Sequence, residues 1–93
     1  MQNLLIFDDL RAFVAVAKSD SISKAAVTLR LAQPALSRRL MRLERCIGTR
    51  LIERHAQGIK LTQAGHTFFK PAQRAVSAVV ALERNLQSFA RGN

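Results

Sequence analysis

The 93-residue sequence predicts a mainly α-helical domain: three short helices, a two-stranded hairpin, then one long helix. Three observations predict it. Apolar residues recur at helical spacing in successive stretches separated by Ser19-Asp20-Ser21, Gln33-Pro34 and Gly48. The stretch from Leu51 to Leu61 reads as two short strands around a turn. The last third carries seven apolar residues at a mean spacing of 3.5.

The first helix is expected from about Asp8 to Lys18. Leu10, Phe13, Val14 and Ala17 follow the i, i+3, i+4, i+7 pattern of one apolar face. Asp8 and Asp9 stand where negative charge favours a helix N-terminus, and Ser19-Asp20-Ser21 reads as a break. The second helix is barely two turns long, with Ser23 as its expected N-cap and Ala25, Ala26 and Leu29 toward a core. So short a helix needs tertiary packing to persist.

The third helix is expected to open at Gln33-Pro34, because proline is tolerated in a first turn. Gly48 stops it in the left-handed conformation. At 100° per residue, Leu36, Leu40, Leu43 and Ile47 fall within about 60°, with Arg38, Arg42 and Arg45 in a similar arc nearly opposite. Leu51 to Arg54 then reads as a strand, His55-Ala56-Gln57-Gly58 as a turn, and Ile59-Lys60-Leu61 as the return strand. Thr62 can cap the last helix, expected from about Gln63 to Ala90. Phe68, Ala72, Ala75, Val79, Leu82, Leu86 and Phe89 alternate spacings of four and three, a coiled-coil-like seam suited to a second chain. Pro71 is expected to bend this helix or disturb its first turns.

Composition narrows the function. The formal net charge is +9, and eight basic residues between Arg30 and Lys60 face only Glu44 and Glu53. Such a field attracts a polyanion, nucleic acid or an anionic membrane surface, and equally describes a solvated basic face. No apolar run approaches the length of a membrane span. Trp and Tyr are absent and the five Phe do not interleave with the basic residues, which argues against stacking single-stranded bases. Cys46 is the only cysteine, so an intrachain disulfide framework is excluded, in keeping with a reducing cytoplasm. Cys46 itself reads as a small semi-buried filler. His55 and His66 have no carboxylate or cysteine cluster at metal-ligand spacing, and no nucleophile motif supports an enzyme. No cofactor is expected.

A short helix followed closely by a longer one is the helix-turn-helix arrangement, whose second helix enters the major groove while the first crosses the phosphate backbone. The hairpin behind it has the place of a wing. Phe13-Val14-Ala15-Val16-Ala17, Ser21-Ile22-Ser23-Lys24-Ala25-Ala26 and Gln33-Pro34-Ala35-Leu36-Ser37-Arg38 together resemble the opening of LysR-type transcriptional regulators. Leu43-Glu44, Ile47-Gly48, Leu51-Ile52-Glu53-Arg54 and Leu61-Thr62-Gln63-Ala64-Gly65 continue the resemblance with matching spacing, over about residues 5 to 90. Ala32 departs from it, standing where the family usually has a capping Ser or Thr. A MarR-like winged helix, the nearest rival, lacks the Gln-Pro-Ala-Leu-Ser string, and a rival of another class is a protein-interaction module whose long helix docks a partner.

The resemblance implies a winged helix-turn-helix over residues 1–61 and a linker and dimerisation helix over 62–93. The effector-binding domain usual in the family is expected to be absent from this chain, as a fragment or as a stand-alone binder. Implied too is sequence-specific binding of double-stranded DNA at a dyad-symmetric site, by a cytoplasmic homodimer that full-length proteins extend to higher oligomers. Among the residues, Gln33 would face base edges, Pro34 and Ala35 would offer apolar contact, and Ser37 and Arg38 would reach a base or phosphate. Ser23 and Lys24 would meet the backbone, Arg54 and Lys60 the minor groove or phosphates, and Arg42 would add electrostatic affinity. The seven seam residues would pair two chains.

Overall fold

The computed structural model describes residues 5–92. Its order is α1 (Phe7–Ser19), α2 (Ile22–Leu29), α3 (Gln33–Ile47), β1 (Ile52–His55), β2 (Gly58–Leu61) and α4 (Gln63–Ala90). The mainly helical architecture with a two-stranded wing is therefore as the sequence predicts.

α1, α2, α3 and the first half of α4 enclose one core. Phe13, Val16, Leu36, Leu43 and Leu51 are its largest fully buried apolar side chains. Phe13 lies at its centre, with ring centroids 5.7 Å from Phe68 and 6.4 Å from Phe69. Such aromatic pairs add about 0.5–1.5 kcal/mol beyond area burial. They root α4 in the three-helix unit, so the core crosses the boundary expected at residue 61.

Local chemistry explains the helix limits. Asp20 adopts the left-handed conformation after α1 and donates its amide to the Val16 carbonyl. The N-cap of α2 is Ser21, not Ser23: the Ser21 hydroxyl accepts from the Lys24 amide at 3.1 Å. The chain turns two residues earlier than expected, and Ser23 is left inside the first turn with its side chain exposed. Ala32 provides no side-chain cap for α3, and Pro34 occupies the first turn as expected. Thr62 caps α4 by accepting from the Gly65 amide at 3.0 Å.

The wing is an antiparallel pair with Ile52 opposite Leu61, Glu53 opposite Lys60, Arg54 opposite Ile59 and His55 opposite Gly58. Its turn is two residues, Ala56-Gln57, tighter than the four expected. α4 runs unbroken through Pro71. Pro71 does not break the helix: an exposed proline removes one backbone bond and leaves the rest of a 28-residue helix to carry the turn. Gly65 is fixed by proximity: a Cβ there would lie 2.2 Å from the Leu51 carbonyl oxygen and 3.2 Å from the Leu61 Cβ.

Candidate nucleic-acid interface

α3 presents two faces. Leu36, Leu40 and Leu43 are buried and Ile47 packs against the core, while Arg38 and Arg45 are exposed. Gln33, Pro34 and Ala35 form the first turn, and Gln33 and Pro34 are left exposed by the described residues. The Gln33 amide nitrogen donates to the Ser23 hydroxyl at 3.1 Å. That bond sets the N-terminal turns of α2 and α3 side by side, with Lys24 exposed next to Ser23. Unpaired amides at helix N-termini favour anions.

From the other side, the Arg54 guanidinium donates to the Ser37 hydroxyl at 2.7 Å. Side chains alternate across a strand. Arg54 therefore shares the Ile52 face, which turns toward α3, and Lys60 shares the opposite face with Glu53 and His55. Glu53 lies 3.4 Å from His55 and directly opposite Lys60. The structure thus brings Gln33 to Ser23, beside Lys24, and Arg54 to Ser37, next to the exposed Arg38, and holds Lys60 on the opposite face of the wing, beside a carboxylate.

Arg42 is engaged elsewhere. Its Nε and Nη2 donate to the two Asp9 carboxylate oxygens at 2.7 and 2.8 Å. Asp9 is 1% exposed, and a buried carboxylate requires a partner. Those hydrogen bonds, and then the Asp9 charge, raise the Arg42 pKa further above its ordinary value. Arg42 is expected from the sequence to add electrostatic affinity; its side chain is 51% exposed, but its forked donors are engaged by the core carboxylate. A signal was present, since Asp9, Phe13 and Val16 share one helix face at spacings of four and three, so an acid on an apolar face demanded a cation. Its identity, 33 residues away, was not legible.

Glu44 has a structural role as well. Its Oε2 accepts from the amides of Leu51 and Ile52 at 2.7 and 3.2 Å, with the Arg50 Nε at 3.7 Å. One carboxylate thereby pins the start of the wing to α3.

α4 carries two apolar stripes, and the expected seam does not coincide with either alone. Gly65, Phe69, Ala72 and Val76 face the domain's own core, and Ala72 is 2% exposed. Ala72 is therefore not a surface for a second chain, contrary to expectation, and Phe68 is shared, its ring packed on Phe13. Ala75, Leu82, Leu86 and Phe89 are exposed and Val79 is half-buried. No helix among the described residues is long and apolar enough to cross a membrane, and no group of three or more potential metal ligands occurs among them.

Residues 7–66 match the pattern of the bacterial regulatory helix-turn-helix proteins of the lysR family. The chain belongs to the LysR family. This LysR-family chain is 41% identical over 83 residues to the HTH-type transcriptional regulator TfdT of Cupriavidus pinatubonensis, covering 89% of the chain and 36% of TfdT. It is 46% identical over 77 residues to the regulator YdcI of Escherichia coli, covering 83% of the chain and 25% of YdcI. The chain thus spans about a quarter to a third of these relatives' lengths. The fold matches BenM DBD in its complex with catB site 1 DNA at a TM-score of 0.82 and 38% identity, covering 95% of this chain and 99% of that one. It also matches Corynebacterium glutamicum OxyR at a TM-score of 0.90 and 29% identity, covering 94% and 27%.

Proposed function

We propose that this LysR-family chain binds double-stranded DNA in a sequence-specific manner as a homodimer and controls transcription. The reading is carried by one observation, the exposed start of α3, tied through Gln33 to the start of α2 and through Ser37 to Arg54 of the wing. A helix displaying Gln33 and Arg38 at its free end suits the major groove, where glutamine pairs with adenine and arginine with guanine. Ser23 and Lys24 hold a phosphate at the start of α2, and Pro34 and Ala35 give apolar contact to a thymine methyl. Arg54 serves the wing at the neighbouring minor groove, and Lys60 contributes field rather than contact. Two copies paired through α4 present two α3 helices to a dyad-symmetric site.

The test is binding to a duplex pool across a salt series. If six or more phosphates are neutralised, affinity falls by about a thousandfold or more between roughly 50 and 200 mM salt. Recovery of a palindromic consensus from that pool supports the dimer. A flat salt profile, or a pool that yields no consensus, overturns the reading.

A further inference from the structure

We infer that Ser23 is a positioning residue for base reading: its hydroxyl holds the Gln33 amide in the orientation that reads a base and donates its own proton to the DNA backbone. The inference rests on the base-reading role given to Gln33 in the preceding section and names what orients that side chain. The Gln33 Nε2 donates to the Ser23 Oγ at 3.1 Å, ten residues apart in sequence and from one helix to the next. Both residues are exposed, so burial does not force the bond. Ser23 is not spent on capping α2, because Ser21 accepts from the Lys24 amide. Ala32 gives α3 no side-chain cap, and Ser23 of α2 is the hydroxyl that the fold sets against the first turn of α3.

The direction of the bond decides what each group has left. A glutamine amide offers two N–H donors and one carbonyl acceptor, and a serine hydroxyl one donor and two lone pairs. With one N–H on Ser23, Gln33 keeps one N–H and its carbonyl, the donor and acceptor that N7 and N6 of adenine require. With a lone pair engaged by Gln33, Ser23 keeps its proton to donate, and a phosphate oxygen is an acceptor only. Lys24, exposed beside Ser23, attracts that phosphate. The result is a relay from phosphate to Ser23 to Gln33 to base, in which each bond polarises the next.

Without this hold, an exposed glutamine must fix its side-chain torsions when it reads a base. On a non-cognate base pair Gln33 is not ordered, so the whole cost falls on the cognate duplex. Ordering one such side chain corresponds to a loss of discrimination of about 2- to 12-fold. A lost phosphate contact behaves differently, since it weakens every sequence alike.

The base pair read by Gln33 is located by comparing the duplex consensus of Gln33→Ala with that of the parent. Discrimination is then the ratio of Kd values for two duplexes that differ at that pair alone. Ser23→Ala is expected to fold as the parent does, because Ser21 retains the cap, and to lower this ratio by about 2- to 12-fold. Ser23→Thr restores a hydroxyl and is expected to recover the ratio. In a Gln33→Ala background, Ser23→Ala is expected to change the ratio no further. Duplexes in which single phosphates are replaced by uncharged methylphosphonate test the relay: one replacement is expected to lower the ratio in the parent, and none in Ser23→Ala. If Ser23→Ala weakens both duplexes alike, Ser23 meets the backbone only, and the positioning role is overturned while DNA recognition stands. If Gln33→Ala shifts the preference at no base pair, the base-reading role and this inference fall together.

Discussion

Replacing Gly65 by alanine tests how the wing is held to the long helix. In an ordinary helix interior the change stabilises by about 1 kcal/mol. Here the new methyl would stand 2.2 Å from the Leu51 carbonyl oxygen. Ordinary contact needs roughly 3.5 Å, so α4 or the strand entry must retreat by about 1 Å. That carbonyl accepts the Thr62 amide at 3.0 Å, and Thr62 caps the same helix. Retreat therefore stretches a bond that α4 depends on for its start. Overpacking a tight site costs about 1–3 kcal/mol, and an impaired helix cap about 1 kcal/mol. Against the propensity gain, the net expectation is a loss of about 1–3 kcal/mol. Urea unfolding followed by far-UV circular dichroism measures it, with protein concentration held fixed because pairing would shift apparent stability. A Gly65→Ala variant as stable as the parent, or more so, would refute the close-approach argument.

Gln33→Ala is expected to relax base preference by about 1–3 kcal/mol at one position of each half-site, read by selecting bound duplexes from a random pool; an unchanged consensus removes Gln33 from base readout. Glu44→Gln keeps an acceptor but removes the charge beneath the wing, and is expected to cost about 1–2 kcal/mol. Faster hydrogen exchange at the Leu51 and Ile52 amides would locate that loss, and unaltered exchange there counts against the pinning role. Arg42→Ala is expected to lower thermal stability, since it strands the Asp9 carboxylate, while folded protein keeps its dependence of affinity on salt. Arg54→Ala is expected to reduce the slope of that dependence by about one. If Arg42→Ala reduced the slope and left stability intact, the assignment of its guanidinium to the core would fail.

What the sequence made legible was periodic or local. The leucine and arginine arcs of α3 and its limits at Gln33 and Gly48 required only helical geometry, a proline and a glycine. The division of labour among chemically similar residues was not legible. Ser21 and Ser23 are equally good caps, and the choice depends on where the turn after α1 releases the chain. Arg38, Arg42 and Arg45 share one arc, yet only Arg42 meets a buried acid from another helix. Ala72 belongs to the regular spacing of the seam, but the spacing does not reveal that the domain's own core already covers it. The last two depend on contacts between elements distant in sequence, where local pattern carries no information. The Ser37–Arg54 and Gln33–Ser23 bonds are of the same kind.

The aromatic anchor at Phe13 has a mechanical consequence. α4 leaves the core without a hinge, because the same helix that fills the core continues outward for several more turns. Whatever grips its distal half is thus in fixed angular register with α3. Inserting one residue in the exposed stretch would advance the grip by 1.5 Å and swing it by 100°, so the length of this spar is itself a coordinate of the binding surface.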